Sequence, residues 1–274
     1  MAGIVPCILH ISTRGVAGLD PPPRAVTYTA MAIRTGKKKK AAQRSKKPPM
    51  LVRWVDWLWH WAWRIGLGVA AAILALVVLF NVINPPITLT ILHEIRRLGS
   101  VDRQWTAVDE IAPVMLRSVV AAEDANFCQH WGFDMGAIRQ AIDTGSSRGA
   151  STLSQQVVKN VFLWQDRSWL RKALEAAITP VGEAIWSKRR ILELYLNIAE
   201  FDEGVFGINA AAFRYFRTTP DQLTPRQAAL LAAILPDPKG RNAASPSGFV
   251  SRRAAAIMDG AETIRRDGRA DCFE

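Results

Sequence analysis

Three short stretches of the chain carry residues able to do acid–base or anion chemistry. In AAEDANFCQHWGFD, residues 121–134, the carboxylates of Glu123 and Asp124 close an apolar helical run, PVMLRSVVAA. The end of a helix exposes carbonyls of partial negative charge and favours cations, so two acids placed there work against local stability. Such a pair is either a solvated turn or a carboxylate held in place to move a proton. In GASTLSQQVVKNVFL, residues 149–163, Ser151, Gln155 and Lys159 recur at i, i+4 and i+8, with Gln156 alongside. That spacing puts a hydroxyl, amides and a cation on one helix face, opposite an apolar stripe of Leu153, Val157 and Val161. It is either an ordinary solvated face or a surface suited to a hydroxyl-rich ligand with one anionic group. In SWLRKALEAAIT, residues 168–179, Arg171 and Glu175 share a face with Lys172 a step round. Here an i,i+4 ion pair worth a few tenths of a kcal/mol competes with a phosphate clamp built from a forked guanidinium and a compact ammonium.

Helical periodicity dominates the elements that must position these groups, and no convincing run of alternating strands appears. The pattern predicts a helix over 113–122 with Pro113 at its first position, and another over 135–143 capped by Asp134. The small-residue loop TGSSRGAS leads into a third helix at 153–163, where Thr152 and Gln155 make a capping box. A long helical stretch is expected over 169–199, bent by Pro180 and Gly182. Gly204 and Gly207 mark a turn before INAAAFRYF, and a helix over 225–235 opens with Thr224, Pro225 and Gln227 in cap, first-position and box roles. The expectation is one mainly α domain.

The charge pattern separates this domain from a leader. Of the formal net charge of +11, residues 1–64 hold 12 Lys or Arg against Asp20 and Asp56, a net +10, which leaves +1 for the rest. That distribution argues against nucleic acid as the partner. Residues 65–83, IGLGVAAAILALVVLFNVI, are uncharged and as a helix span about 28 Å, enough to cross the hydrocarbon of a bilayer. The five Trp of RWVDWLWHWAWR before it suit the headgroup level, and NPP at 84–86 ends the helix. The basic flank predicts residues 1–64 in the cytoplasm and residues 87–274 outside. A cleaved signal peptide fits less well, because the basic region is long and no small-x-small site follows. Residues 1–49 read as disordered, and Met31 is an alternative start that would leave residues 1–30 untranslated. Cys7, Cys128 and Cys272 make no disulfide framework; only the last two share the outer compartment, and they read as unpaired or opportunistically paired.

Together the stretches say more than each alone. EDANFCQHWG, RGASTLSQQVVKN, RKALE, SKRRILELYLN and GVFGINAAAFRYF, in this order, closely resemble the peptidoglycan glycosyltransferases of bacterial cell-wall synthesis, over about residues 105–246. Neither S-x-x-K nor K-T-G is present, so the resemblance is to the monofunctional, membrane-anchored biosynthetic transglycosylases, without transpeptidase activity. It implies a lysozyme-like, mainly α glycosyltransferase domain preceded by a single transmembrane helix. The corresponding division is a basic leader (1–64), a membrane helix (65–83), a linker (84–104), the glycosyltransferase domain (105–250) and a C-terminal helical tail (251–274).

The implied reaction transfers a growing glycan from undecaprenyl pyrophosphate to the 4-hydroxyl of an acceptor N-acetylglucosamine of lipid II, with inversion. By the resemblance, Glu123 is the general base and Glu175 the second essential carboxylate, orienting cations or a divalent metal. Lys159, Arg171 and Lys172 neutralise the pyrophosphate, while Ser151, Thr152, Gln155 and Gln156 line the sugar and phosphate cleft. Asp124, Phe127, His130 and Gly132 shape the motif, with His130 a hydrogen-bonded structural group. The resemblance requires no cofactor and leaves Mg or Mn open. Expected partners are lipid II, the growing strand, membrane lipids and other cell-wall synthases, at the inner (cytoplasmic) membrane with a periplasmic catalytic domain. Departures lie at Pro180, Gly182, Asp202 and Asn209, none at a proposed catalytic position. Two other readings compete: a lytic hydrolase on the same kind of fold, which would not need the three cations, and a non-catalytic wall-assembly partner, which would not need Glu123.

Overall fold

A computed structural model of the chain describes residues 50–145, 151–166 and 168–274. The leader up to residue 49 and most of the TGSSRGAS loop lie outside the described residues. Ten α-helices are described: α1 (Met50–Leu79), α2 (Leu89–Leu98), α3 (Pro113–Glu123), α4 (Met135–Asp143), α5 (Leu153–Phe162), α6 (Trp169–Ile185), α7 (Lys188–Ile198), α8 (Ile208–Phe216), α9 (Pro225–Ile234) and α10 (Gly248–Arg266). The mainly α expectation holds. Three very short strands were not anticipated: β1 (Asp102–Arg103), β2 (Glu200–Asp202) and β3 (Val205–Phe206), in the order β1-β3-β2 with β3 parallel to β1 and antiparallel to β2.

Local chemistry explains most of the helix starts. Thr152 accepts from the Gln155 backbone N–H while the Gln155 side chain accepts from the Thr152 N–H, closing the expected box at α5. Thr224 and Gln227 do the same at α9, and Asp134 caps α4 through the Ala137 N–H. Ala228 to Ile234 of α9 are all buried, as befits a helix enclosed on every side. α3 and α10 pack on it and on each other, while α5 packs between α6 and α7.

Two expectations change, and two others are filled in. The stretch 169–199 is two helices that break at Trp186 and Ser187, past Pro180 and Gly182. Trp186 is extended, its ring lies where a Cβ on Gly182 would come within 3.2 Å, and Ser187 caps the next helix through the Arg190 N–H. The segment 84–104 holds α2 and β1 instead of a bare linker. The tail beyond 250 is the body of α10, and its Ile257, Ile264 and Phe273 belong to the main core. Cys128 and Cys272 form a disulfide with their Cα atoms 5.8 Å apart, tying the turn after Glu123 to the last residues of the chain.

α1 starts earlier than the apolar run and includes the Trp-rich segment. Val52–Leu79 is long and apolar enough to cross a membrane, and little of it is buried. Its far end is the exception: Val77 and Phe80 enter the core.

Candidate active site

Glu123 is the last residue of α3, and the acid beside it explains how it is tolerated there. The Asp124 carboxylate turns away from its own helix and accepts the Leu153 N–H, 3.0 Å, at the first turn of α5. A negative charge that would burden the end of α3 thereby complements the positive end of α5. His130 bonds the other Asp124 oxygen through Nε2 at 2.8 Å. Gly132, at φ +85°, completes the corner: its carbonyl accepts the Thr152 hydroxyl at 2.7 Å, and a Cβ there would sit 2.8 Å from Thr179. The ED motif is thus clamped to the start of α5.

This clamp delivers Glu123 to the α5 face. Gln156 donates from Nε2 to Glu123 Oε2 at 3.1 Å, and the Tyr195 hydroxyl of α7 lies 3.5 Å from the other end of that amide. The Arg253 guanidinium of α10 donates to the Ala122 carbonyl at 3.3 Å and stands 3.9 Å from Glu123 Oε1. Oε1 is buried and accepts no hydrogen bond within the protein. Burial pushes the Glu123 carboxyl above the usual glutamate range, against the opposing pull of Gln156 and Arg253.

Lys159 follows Gln156 by three residues, so both share one side of α5. Burial draws its ammonium below the usual lysine range, and its field includes Glu175, Arg171, Lys172 and Glu123. On α6, Glu175 is 3 % exposed and accepts from Arg171 Nη1 at 2.8 Å and from Lys172 Nζ. The Lys172 ammonium also reaches Ser151 Oγ at 3.4 Å. One carboxylate therefore fixes two cations on α6 facing a third on α5, with a buried base beyond. Such a row can deprotonate at one end and hold an anion at the other.

Two expected cleft residues sit differently. Thr152 and Gln155 are 3 % and 4 % exposed, and their side chains are consumed by the capping box and by Gly132. They hold α5 in place. Two residues around Glu123 were not singled out in the sequence: Tyr195, though it lies within the SKRRILELYLN block, and Arg253, which no local spacing connects to residue 123.

A transglycosylase family model matches residues 90–262. The chain belongs to the transglycosylase family. A biosynthetic peptidoglycan transglycosylase of Jannaschia sp. (strain CCS1) is 54% identical over 243 residues, 89% of this chain and 99% of the relative. The chain is also similar to proteins of the same description from Klebsiella oxytoca, 47% identical over 66% of this chain and 80% of the relative, and from Caulobacter vibrioides, 44% identical over 72% and 87%. The chain is therefore an enzyme of this family, and the match begins at Thr90, so all of α2 but its first residue lies within it.

Proposed function

We propose that the chain polymerises lipid II into peptidoglycan glycan strands, passing the growing strand from undecaprenyl pyrophosphate to the 4-hydroxyl of an acceptor N-acetylglucosamine. The observation that carries this reading is the buried Glu123 oxygen that accepts no hydrogen bond, on a carboxylate held by Gln156 of α5 one turn before Lys159, which faces the cations of α6. The acceptor oxygen attacks C1 of the donor N-acetylmuramic acid as its proton passes to Glu123. The bond from C1 to the pyrophosphate oxygen breaks, and the electron pair leaves with the diphosphate. Inversion follows, because nucleophile and leaving group occupy opposite sides of C1.

The pyrophosphate departs as an anion and needs charge more than a proton. Lys159, Arg171 and Lys172 supply it, with Glu175 holding the latter two in place and Ser151 adding a hydroxyl at the rim. A hydrolase releasing a sugar hydroxyl would have no use for that cluster. Among the described residues no three His, Cys, Asp or Glu gather as metal ligands, and both Glu175 oxygens already accept from cations. Glu175 thus does not suit a metal, and no step here passes through one. No transpeptidase step is included.

The anchor suits a donor whose tail stays in the bilayer. The basic flank of α1 supports a cytoplasmic N-terminus and an outer catalytic domain, and the Cys128–Cys272 bond suits that oxidising side. The test is purified full-length protein given lipid II and, separately, finished cell wall. Strand growth that Glu123→Gln abolishes, without wall cleavage, is the expected result; wall cleavage without strand growth overturns the reading.

A further inference from the structure

The far side of α2 carries chemistry that the transfer reaction does not use. Its inner face is committed: Ile91 is buried, and Glu94 accepts from Arg97 at 2.6 Å and from Lys239 at 3.1 Å. Its outer face, with the turn before it, changes character along the chain. Val82, Ile83, Ile87 and Leu89 are exposed and apolar, and one and two helical turns past Leu89 stand His93 and Arg96, also exposed. Arg97 is already paired with Glu94 and Glu203, whereas Arg96 and His93 make no ion pair or side-chain hydrogen bond among the described residues.

This face borders a cavity of about 260 Å³ between α2 and the loop from α5 to α6. Arg96 and His93 line one part of it, Asp166 belongs to the opposite loop, and Trp164, Thr90 and Gln165 complete the wall. Only nine residues, Phe80 to Thr88, separate α2 from the end of the membrane-length helix. A gradient from exposed aliphatic to cationic side chains over so short a distance matches the passage from acyl chain to phosphate at a bilayer surface, and a tryptophan at the rim suits the same depth.

We propose that this cavity binds the headgroup of a membrane phospholipid, its phosphate against Arg96 and His93 and its ammonium against Asp166. A planar guanidinium and a ring N–H suit phosphate oxygens, and a carboxylate alone would repel them, so the mixed lining selects a zwitterion that donates hydrogen bonds, namely an ethanolamine headgroup. The site meets the transfer machinery only through the Asp166 backbone carbonyl, which accepts from Arg171 at 2.9 Å, a bond that side-chain substitution at 166 leaves in place; its lining side chains belong to neither the Glu123 nor the Lys159 cluster.

The test uses the full-length chain in detergent, titrated with phosphatidylethanolamine, phosphatidylglycerol or phosphatidylcholine, with bound lipid counted by mass spectrometry of the intact protein. Wild type should retain one phosphatidylethanolamine at concentrations about tenfold below those needed for the other two lipids, the range of one charge-assisted hydrogen bond. Combining His93→Ala with Arg96→Ala should erase that retention, while Asp166→Asn should erase the preference over phosphatidylglycerol without weakening phosphatidylglycerol binding. All three positions are exposed, and polymerisation of lipid II in detergent should stay at the wild-type rate. Equal retention by wild type and the double variant overturns the proposal. An undiminished preference in Asp166→Asn does so too, as does displacement of the phospholipid by added lipid II, which would assign the cavity to the substrate.

Discussion

Gln156 donates a hydrogen bond to Glu123 across 3.1 Å, and it does so from the helix that one turn later presents Lys159. The amide therefore links the buried carboxylate to the helix that carries the first cation of the row. It leaves one Glu123 oxygen free and fixes the direction in which that oxygen points. Gln156→Ala should lower kcat by roughly 10- to 100-fold with little change in KM, the cost of one hydrogen bond to a charged group realised in the transition state. Tyr195→Phe, one bond further out at 3.5 Å, should cost less than Gln156→Ala. Steady-state rates on lipid II check both, and a larger loss from Tyr195→Phe would contradict the order.

The Glu123 carboxyl is raised by burial above its ordinary value of 4.5. A base must be ionised, so the acid limb of the rate profile should lie above that value, and Glu123→Gln should remove roughly 10²–10⁴-fold of the rate. The same shift affects stability with a definite sign. Between the unfolded and the raised folded pKa the native state binds more protons, so stability falls as pH rises through that window. Glu123→Gln carries no such term: it should be at least as stable as wild type at neutral pH and lose that advantage at acidic pH. Thermal unfolding of both proteins across pH reads the difference.

Glu175 is buried, and its two partners are not equally so: Arg171 side chain is 12% exposed and Lys172 43%. Removing the carboxylate frees two cations and leaves the better-buried Arg171 short of a partner. Glu175→Gln should destabilise by about 1–3 kcal/mol, below the value for a fully enclosed pair because Lys172 is solvated. Its larger effect should be on catalysis, since cations that wander no longer meet the diphosphate together. Arg171→Lys should not replace the arginine, because the lysine lacks the fork that reaches both Glu175 and the Asp166 carbonyl.

The starts of α4, α5 and α9 were legible because each is written in three or four consecutive residues: Asp134 with Ala137, Thr152 with Gln155, Thr224 with Gln227. The grouping of the candidate residues was legible for a related reason, as Gln156 and Lys159 lie on one helix, and Arg171, Lys172 and Glu175 on another. What failed to show depends on distant partners. The break at Trp186 is fixed by an indole that packs on Gly182 and Phe162 and donates to the Val77 carbonyl, 109 residues away. Arg253 meets Glu123 only because α10 folds back over α3. Ser187 before KRRILELYLN is a local cap signal for a new helix, whereas Pro180, the stronger breaker by residue type, lies inside α6 without ending it.

The Cys128–Cys272 bond closes a separation of 144 residues. Chain entropy puts its stabilisation at up to about 5 kcal/mol, and loss of such bonds costs about 2–5 kcal/mol in practice. Phe273 is buried against Phe127, its carbonyl accepts from Arg189 at 2.8 Å, and Glu274 pairs with Arg117 at 2.5 Å. The reduced protein should therefore stay folded, with Tm lower by roughly 5–15 °C. Cys272→Ser should show the same decrement and no further response to reductant. A reductant effect equal in both proteins would mean that the bond is not its source.

The end of α1 is built into the catalytic domain through carbonyls that a free helix would leave to solvent. Val77 accepts from the Trp186 indole at 2.8 Å, while Arg190 donates to Phe80 at 3.0 Å and to Ile83 at 3.1 Å. Arg103 donates to Pro85 at 2.8 Å and to Pro86 at 2.5 Å, so five carbonyls of the exit turn are satisfied by side chains of the domain. The rings of Phe80, Phe162 and Trp186 stack in sequence, each pair 6.1 Å apart, and Phe162 ends the helix that carries Gln156 and Lys159. Arg190 is the keystone, because its removal strands two carbonyls and the Glu193 carboxylate 3.0 Å away. Arg190→Ala should cost about 2–5 kcal/mol, and Arg190→Lys should recover little because one ammonium cannot span Phe80, Ile83 and Glu193. Both variants should polymerise lipid II more slowly in bilayers than wild type while leaving every cleft residue in place. Wild-type stability and rate in Arg190→Ala would show that the joint carries no load.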